Sequence, residues 1–289
     1  MRFELTEDQR DFAASLDSLL AASDTPAVAR AWAEGDTSPG LALWKRLADQ
    51  GLTMLATEAT PVEVCVAFEA LGRHAVPGPW VESAAYLPVA LGREVEGVAT
   101  VAVPPQVPYA LDAHVADHVY VGTSPADSVG ARVGSVDPTR HLFEVSGTGA
   151  AHPEAFDLAV LATSAQLLGC GERLLADSVT YVKQRRQFGR EIGSYQAIKH
   201  KLADVRIALD FARPLIYGAA LGEISASAAK VAASDAAYLA SRTGLQVHGA
   251  IGYTQEFDLS LWITKVRALV TAWGTPAHHR ARVLEGVVG

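Results

Sequence analysis

From Phe156 to Tyr181 the sequence is an almost unbroken helical pattern, with Leu161, Leu168, Leu174 and Val179 among its apolar positions. Three more patterns follow. One opens at Ser194 and turns Ile198, Leu202, Val205, Ile207 and Leu209 inward, one runs from about Ser225 to Gln246, and one from Phe257 to Val283. Long helices with short connections must bury their apolar stripes on one another, so residues 151–289 are expected to form a four-helix bundle domain. Gly169 and Gly171 fall where two helices can pack closely.

Upstream, the chain opens with helices of a different texture. Thr6-Glu7-Asp8-Gln9 reads as a capping box ahead of Phe12, Leu16, Leu19 and Leu20. A polar loop broken by Pro26 and by Ser38-Pro39-Gly40 leads to the apolar face of Leu43, Trp44 and Leu47, which ends at Gly51. Thr60-Pro61-Val62-Glu63 is a second capping box, opening a helix through Phe68 and Leu71. From Pro77 to Gly92 the helical pattern continues with an interruption at Pro88. Residues 1–95 therefore read as an N-terminal helical domain.

Between about Glu96 and Gly149 the pattern changes to short β-branched or aromatic runs, Val98–Val103, His118–Val121 and Leu142–Val145, separated by Pro, Gly, Asp and Ser. This is a β-domain, residues 96–150, with room for no more than about six strands. The fold class is mainly α with a small β-domain. His114 and His118 have the spacing of a metal pair on a helix, but the surrounding pattern is not helical, and no metal site is expected.

The 289 residues are 49% hydrophobic and 19% charged, with a net charge of −8, and they show no basic face for nucleic acid. No window is apolar enough to span a membrane, and Met1–Asp8 lacks the apolar core of a leader. Cys65 and Cys170 lie in apolar helical stretches without metal spacing, which points to buried thiols and a cytoplasmic protein.

Two motifs carry chemistry. Arg185-Arg186-Gln187-Phe188-Gly189-Arg190 is a cationic turn between two helices, and arginine forks at a helix start can hold a diphosphate. Gln246-Val247-His248-Gly249-Ala250 ends the third helix with glycines on either side, where backbone can approach a ligand. In this order, with a long helical hairpin between them, the pair resembles the C-terminal domain of the acyl-CoA dehydrogenases. The resemblance implies that the β-domain is a reduced middle domain and that both turns hold the pyrophosphate and adenosine end of an FAD bound mainly by a neighbouring subunit. It assigns Arg185 to the pyrophosphate, Gln187 to a polar contact, Phe188 to the adenine or ribose side with Gln196 nearby, and Gln246, Val247, Gly249 and Ala250 to the second turn. Plainer readings place Arg185 in a surface salt bridge, Phe188 in the bundle core and Gly249 as a helix cap.

The family also implies a glutamate base for the substrate α-proton. Where most members carry Tyr-Glu-Gly-Thr this chain reads Ala272-Trp273-Gly274-Thr275, and an indole accepts no proton. The alternative position on the first helix of the bundle falls near Ala159, and the flavin-cradling stretch of the middle domain is missing. The resemblance thus implies no catalytic residue here. It implies a non-catalytic subunit of an α2β2 acyl-CoA dehydrogenase, with a catalytic partner that binds most of the acyl-CoA, a steroid-like or otherwise unusual thioester. The alternatives are a self-sufficient homo-oligomeric flavoenzyme using another base, such as Tyr195, His200 or His248, and a flavin-free scaffold.

Overall fold

The computed structural model describes residues 4–254 and 257–288, so Met1-Arg2-Phe3 of the leader reading lie outside it. Both capping boxes form. Thr6 Oγ1 accepts the Gln9 N–H at 3.2 Å while Gln9 Oε1 accepts the Thr6 N–H at 3.0 Å, starting α1 (Glu7–Ala21). Thr60 and Glu63 reciprocate likewise at the start of α5 (Pro61–Arg73), and Gln9 Nε2 donates to Glu63 Oε1 at 2.8 Å, joining the two helix starts.

The loop expected around Pro26 is instead a helix, α2 (Thr25–Glu34). Proline sits in the first turn, where its missing N–H is harmless, and Asp24 caps the Ala27 N–H. α3 (Ser38–Asp49) and the short α4 (Leu55–Glu58) follow. Nor does Pro88 interrupt its helix. A π segment at Glu82–Tyr86, in which the Leu87 N–H reaches back to the Glu82 carbonyl, leads straight into α6 (Leu87–Leu91). The wider turn makes room for the proline ring.

Six strands make two small sheets. β1 (Ala99–Ala102) runs parallel to β3 (His118–Val121), which pairs antiparallel with β4 (Ser124–Pro125). β6 (Leu142–Ser146) lies between β2 (Ala110–Leu111) and β5 (Ser128–Val133), antiparallel to both. Ser83 Oγ accepts the Ala99 N–H at 2.8 Å, tying the π segment to β1.

The bundle begins with α7 (Pro153–Gln184), longer than the pattern suggested. Its crossing with α5 is close because neither helix carries a side chain at the contact. A Cβ on Gly72 would stand 2.1 Å from the Gln166 carbonyl oxygen, and one on Gly169 would stand 1.9 Å from that of Glu69. Around that crossing Arg213 donates to Glu69 at 2.8 Å and to Glu172 at 2.9 Å, while Arg206 grips both oxygens of Glu172 at 2.7 Å. The apolar core is continuous from Leu16 on α1 through Tyr120 on β3 to Trp273 near the C-terminus.

A hairpin of β7 (Arg186–Gln187) and β8 (Arg190–Glu191) separates α7 from α8 (Gln196–Ala220). The helix does not start at Ser194 as its sequence suggested. The Ser194 hydroxyl donates back to the Glu191 carbonyl at 2.7 Å and closes a 3-10 turn, leaving Tyr195 at the N-cap. α9 (Ala226–His248) is capped by Ser225. The expected fourth helix is two, α10 (Leu259–Leu269) and α11 (Pro276–Val288), because Trp273 and Gly274 adopt φ of 56° and 106° and Pro276 opens a new first turn. Buried Lys230 reaches from α9 to donate to the Leu269 carbonyl at 2.5 Å, where α10 ends.

Candidate functional site

The cationic segment is a hairpin arm. The Arg185 N–H closes α7 on the Tyr181 carbonyl at 2.9 Å, and the chain then pairs Arg186 with Glu191 and Gln187 with Arg190. At the tip Phe188 and Gly189 take φ of 52° and 83°, the positive values a two-residue hairpin loop demands. Phe188 is 91% exposed and so is not a core residue.

The three arginines differ in occupation. Arg186 pairs with Glu191 at 3.2 Å, and Arg190 lies 4.0 Å over the Tyr195 ring, whose hydroxyl donates to the Gln187 carbonyl at 3.3 Å. The Arg185 guanidinium is exposed and has no ion pair or hydrogen bond among the described residues. Exposed Gln196 is the first residue of α8, whose N-cap Tyr195 supplies no side-chain acceptor. The first N–H groups of that helix therefore remain available to an anion.

The second turn lies close by, and Tyr181 joins the two. Its carbonyl holds Arg185, its ring stacks on His248 at 4.2 Å, and its hydroxyl donates to the His248 carbonyl at 3.5 Å. Gln246, Gly249 and Ala250 are exposed beyond it, whereas Val247 is buried beneath them. Gly249 caps α9, as its plainer reading holds, at φ 66°, with open space where a Cβ would be. Lys201, five residues along α8 from Gln196, or about 7.5 Å up the axis, donates to Gln246 Oε1 at 2.9 Å.

The residues at the expected base positions lie elsewhere, in the interior. Ala159 is fully buried in the core. Trp273 is 1% exposed and packs on Tyr86 and Phe156 at centroid distances of 5.1 and 5.7 Å. Its carbonyl accepts from His279 Nε2 at 2.9 Å, while His279 Nδ1 faces Ser227 Oγ at 2.9 Å, which fixes the neutral tautomer with its proton on Nε2. Burial lowers the His279 pKa to about 4, consistent with that neutral ring.

Beside Trp273 opens a cleft of about 680 Å³ lined by Glu82, Tyr109, Arg140, Leu142 and Arg267. Glu82 escaped the sequence reading, although a carboxylate inside the apolar run Val81–Tyr86 is itself a signal. It is 2% exposed, its Oε2 has no hydrogen-bond partner, and burial raises its pKa against the opposing pull of Arg140. Of the bases considered in the sequence, His200 is exposed on α8, Tyr195 sits under Arg190, and His248 has Nδ1 on the Gly244 carbonyl.

Residues 147–288 match the family description "Acyl-CoA dehydrogenase, C-terminal domain". The chain is 30% identical to acyl-CoA dehydrogenase IpdE2 of Mycobacterium tuberculosis, over 96% of this chain and 93% of that one. Three solved structures share its fold. Butyryl-CoA dehydrogenase from Megasphaera elsdenii has a TM-score of 0.85 at 19% identity, covering 100% of both chains. The ChsE4-ChsE5 complex from Mycobacterium tuberculosis has 0.78 at 19%, covering 100% of this chain and 99% of that one. The Tcur3481-Tcur3483 steroid ACAD G363A variant has 0.80 at 20%, covering 98% and 99%.

Proposed function

Since the chain belongs to the acyl-CoA dehydrogenase family, we propose that it is the non-catalytic subunit of an FAD-dependent, heteromeric α2β2 enzyme that desaturates a CoA thioester. The observation that carries this reading is the arm Arg185–Arg190. Its backbone is paired as a hairpin, yet it holds a large apolar ring, Phe188, in water and leaves the Arg185 guanidinium without a counter-charge among the described residues. An apolar ring held out on a hairpin fits a surface supplied by another chain.

In that assembly Arg185 holds the pyrophosphate, Phe188 packs on the adenine or ribose side, Gln187 and Gln196 add polar contacts, and Gln246, Gly249 and Ala250 form the second wall. Val247, being buried, supports that wall from below. FAD, when bound, supplies the two-electron acceptor. The residues present fit its diphosphate end, with an unpaired guanidinium, uncapped helix N–H groups and an open glycine turn. They supply no base at Trp273 or Ala159, so the α-proton falls to a partner that also binds most of the acyl-CoA. The complex of ChsE4 with ChsE5 and the steroid enzyme among the similar structures support a two-chain assembly and a bulky, steroid-derived acyl group. The two free buried thiols, Cys65 and Cys170, agree with the cytoplasm, and among the described residues no helix is long and apolar enough to cross a membrane.

The test is co-expression with an acyl-CoA dehydrogenase subunit that carries the glutamate base. The chain alone is expected to be flavin-poor and inactive, and the co-purified complex yellow and active. Full activity with stoichiometric flavin from the chain alone would overturn the proposal.

One observation favours a second reading, that of a self-sufficient flavoenzyme. Glu82 is a buried carboxylate with a free oxygen at the edge of a cleft in this same chain. If it serves as base, Glu82→Gln abolishes activity of the isolated chain. In the heteromer, the same change leaves proton abstraction by the partner intact.

A further inference from the structure

The sequence offers His114 and His118 as a pair and the structure separates them, placing His118 in β3. It instead brings His114 to His141, with ring centroids 5.0 Å apart, beside Asp112. One ligand atom from each of Asp112, His114 and His141 lies within 4.8 Å of the other two.

The interior part of this cluster is under-satisfied. Asp112 and His141 are 0% and 1% exposed. Asp112 Oδ1 accepts from Trp32 Nε1 and from the His141 backbone N–H, both at 3.2 Å, and faces His141 Nδ1 at 3.4 Å, but Asp112 Oδ2 and His141 Nε2 have no hydrogen-bond partner. A buried polar atom left this way loses its water without a protein partner in return. Asp112 also holds a left-handed backbone, φ 53°, locked by its N–H on the His141 carbonyl at 2.6 Å. The two buried side chains are thus held in place with Asp112 Oδ2 and His141 Nε2 open to an ion, and His114 approaches from the exposed side, its ring 5.3 Å from Phe143.

We propose that Asp112, His114 and His141 form a binding site for a divalent transition cation, with Zn²⁺ the best match to two imidazoles and one carboxylate. Zinc bonds to such ligands at about 2.0–2.2 Å, which sets them roughly 3.3–3.6 Å apart in a tetrahedron. His114, alone of the three in solvent, is the ligand free to close the remaining gap. The fourth position opens toward solvent for a water. An ion here ties the end of β2 to the segment entering β6 and, through Trp32, fastens the β-sheet to α2. Exposed Arg132 on β5 acts on both histidines and opposes any cation, so the site binds against that repulsion.

The untagged chain, dialysed and analysed for metal, is expected to carry about one zinc per molecule, and the stripped chain to bind Zn²⁺ again in calorimetry. His114→Ala, an exposed change that leaves the fold intact by circular dichroism, is expected to weaken zinc at least tenfold, Arg132→Ala to tighten it, and His118→Ala to leave it unchanged. Substoichiometric zinc in the wild type, affinity unchanged in His114→Ala, or loss in His118→Ala instead would each overturn the site.

Discussion

Lys201 Nζ donates to Gln246 Oε1 at 2.9 Å and so fixes, from one turn into α8, the side chain that ends the exposed face of α9. The bond leaves the Gln246 amide N–H groups free to donate, which suits a wall facing phosphate or ribose oxygens.

Arg185→Ala is therefore expected to lower flavin retention of the co-purified complex about ten- to a hundredfold, the value of one charge-assisted hydrogen bond of about 1.5–3 kcal/mol. Gln246→Ala should lose less, and Lys201→Ala less again, since Lys201 acts only by orienting Gln246. Bound FAD per complex after dialysis, read by absorbance, checks the order. Equal flavin in Arg185→Ala and wild type would favour the flavin-free scaffold.

At the α5–α7 crossing, Gly169→Ala is expected to cost about 3 kcal/mol or more, because its Cβ would overlap the Glu69 carbonyl and both helices are packed in the core. Gly189→Ala meets open space and is strained only by its φ of 83°, about 1 kcal/mol. Urea midpoints of the two variants separate a packing glycine from a conformational one.

What could be read from the sequence follows from how far apart the cooperating residues lie. The capping boxes at Thr6 and Thr60 are closed by residues three positions on, so their local pattern suffices. The bundle is legible because its helices carry their periodicity over many turns. The break after α10 was not, since Trp273 in a left-handed conformation goes against tryptophan's own preference and is enforced by His279 from the next helix. The hairpin was missed for a similar reason, with phenylalanine where asparagine or glycine is the usual residue. Glu82 beside Trp273, and Asp112 beside His141, are juxtapositions made by tertiary packing alone.

Glu172 gives a pH dependence of defined sign. Burial alone would raise its pKa, but hydrogen bonds from Arg206 and Arg213 outweigh it and hold the carboxyl below the ordinary 4.5. A folded-state value below the unfolded one means that the unfolded chain binds more protons as pH falls. The contribution is thus complete above pH 4.5 and disappears as pH drops through the folded value. Glu172→Gln is expected to cost about 1–3 kcal/mol at pH 7, discounted because both arginines are more than a third exposed. The gap to wild type should close on acidification, and a gap constant from pH 7 to pH 3 would refute the ion-pair account.

Lys230 gives a slope of the same sign for a different reason, since here the charged form is the one the fold disfavours. Burial lowers its pKa to about 7 from 10.5. Between those values the unfolded chain carries a proton the folded one lacks, so this group makes stability rise with pH from about 7 upward, by at most about 1.4 kcal/mol per pH unit. Comparing wild type with Lys230→Met between pH 7 and pH 9 isolates the effect, because Cys65 and Cys170, whose thiols burial pushes up and which oppose it as pH nears 9, are common to both proteins. The variant's stability should be flatter over that interval, though lower throughout, because the Leu269 carbonyl loses its donor.

Phe188 separates folding from assembly. At 91% exposure its ring meets the edge of Tyr195 at 6.5 Å among the described residues, so little apolar surface is buried when the isolated chain folds. Phe188→Ala should shift the chain's own stability by no more than about 0.5 kcal/mol. In the complex the same ring would be covered, and burying a phenylalanine is worth about 1.5–3 kcal/mol. Loss of the ring is expected to weaken assembly or flavin retention at least tenfold while the melting temperature of the free subunit stays put. A variant that melts early on its own would place Phe188 in the fold of the chain, and the arm would then lose its claim to a partner's surface.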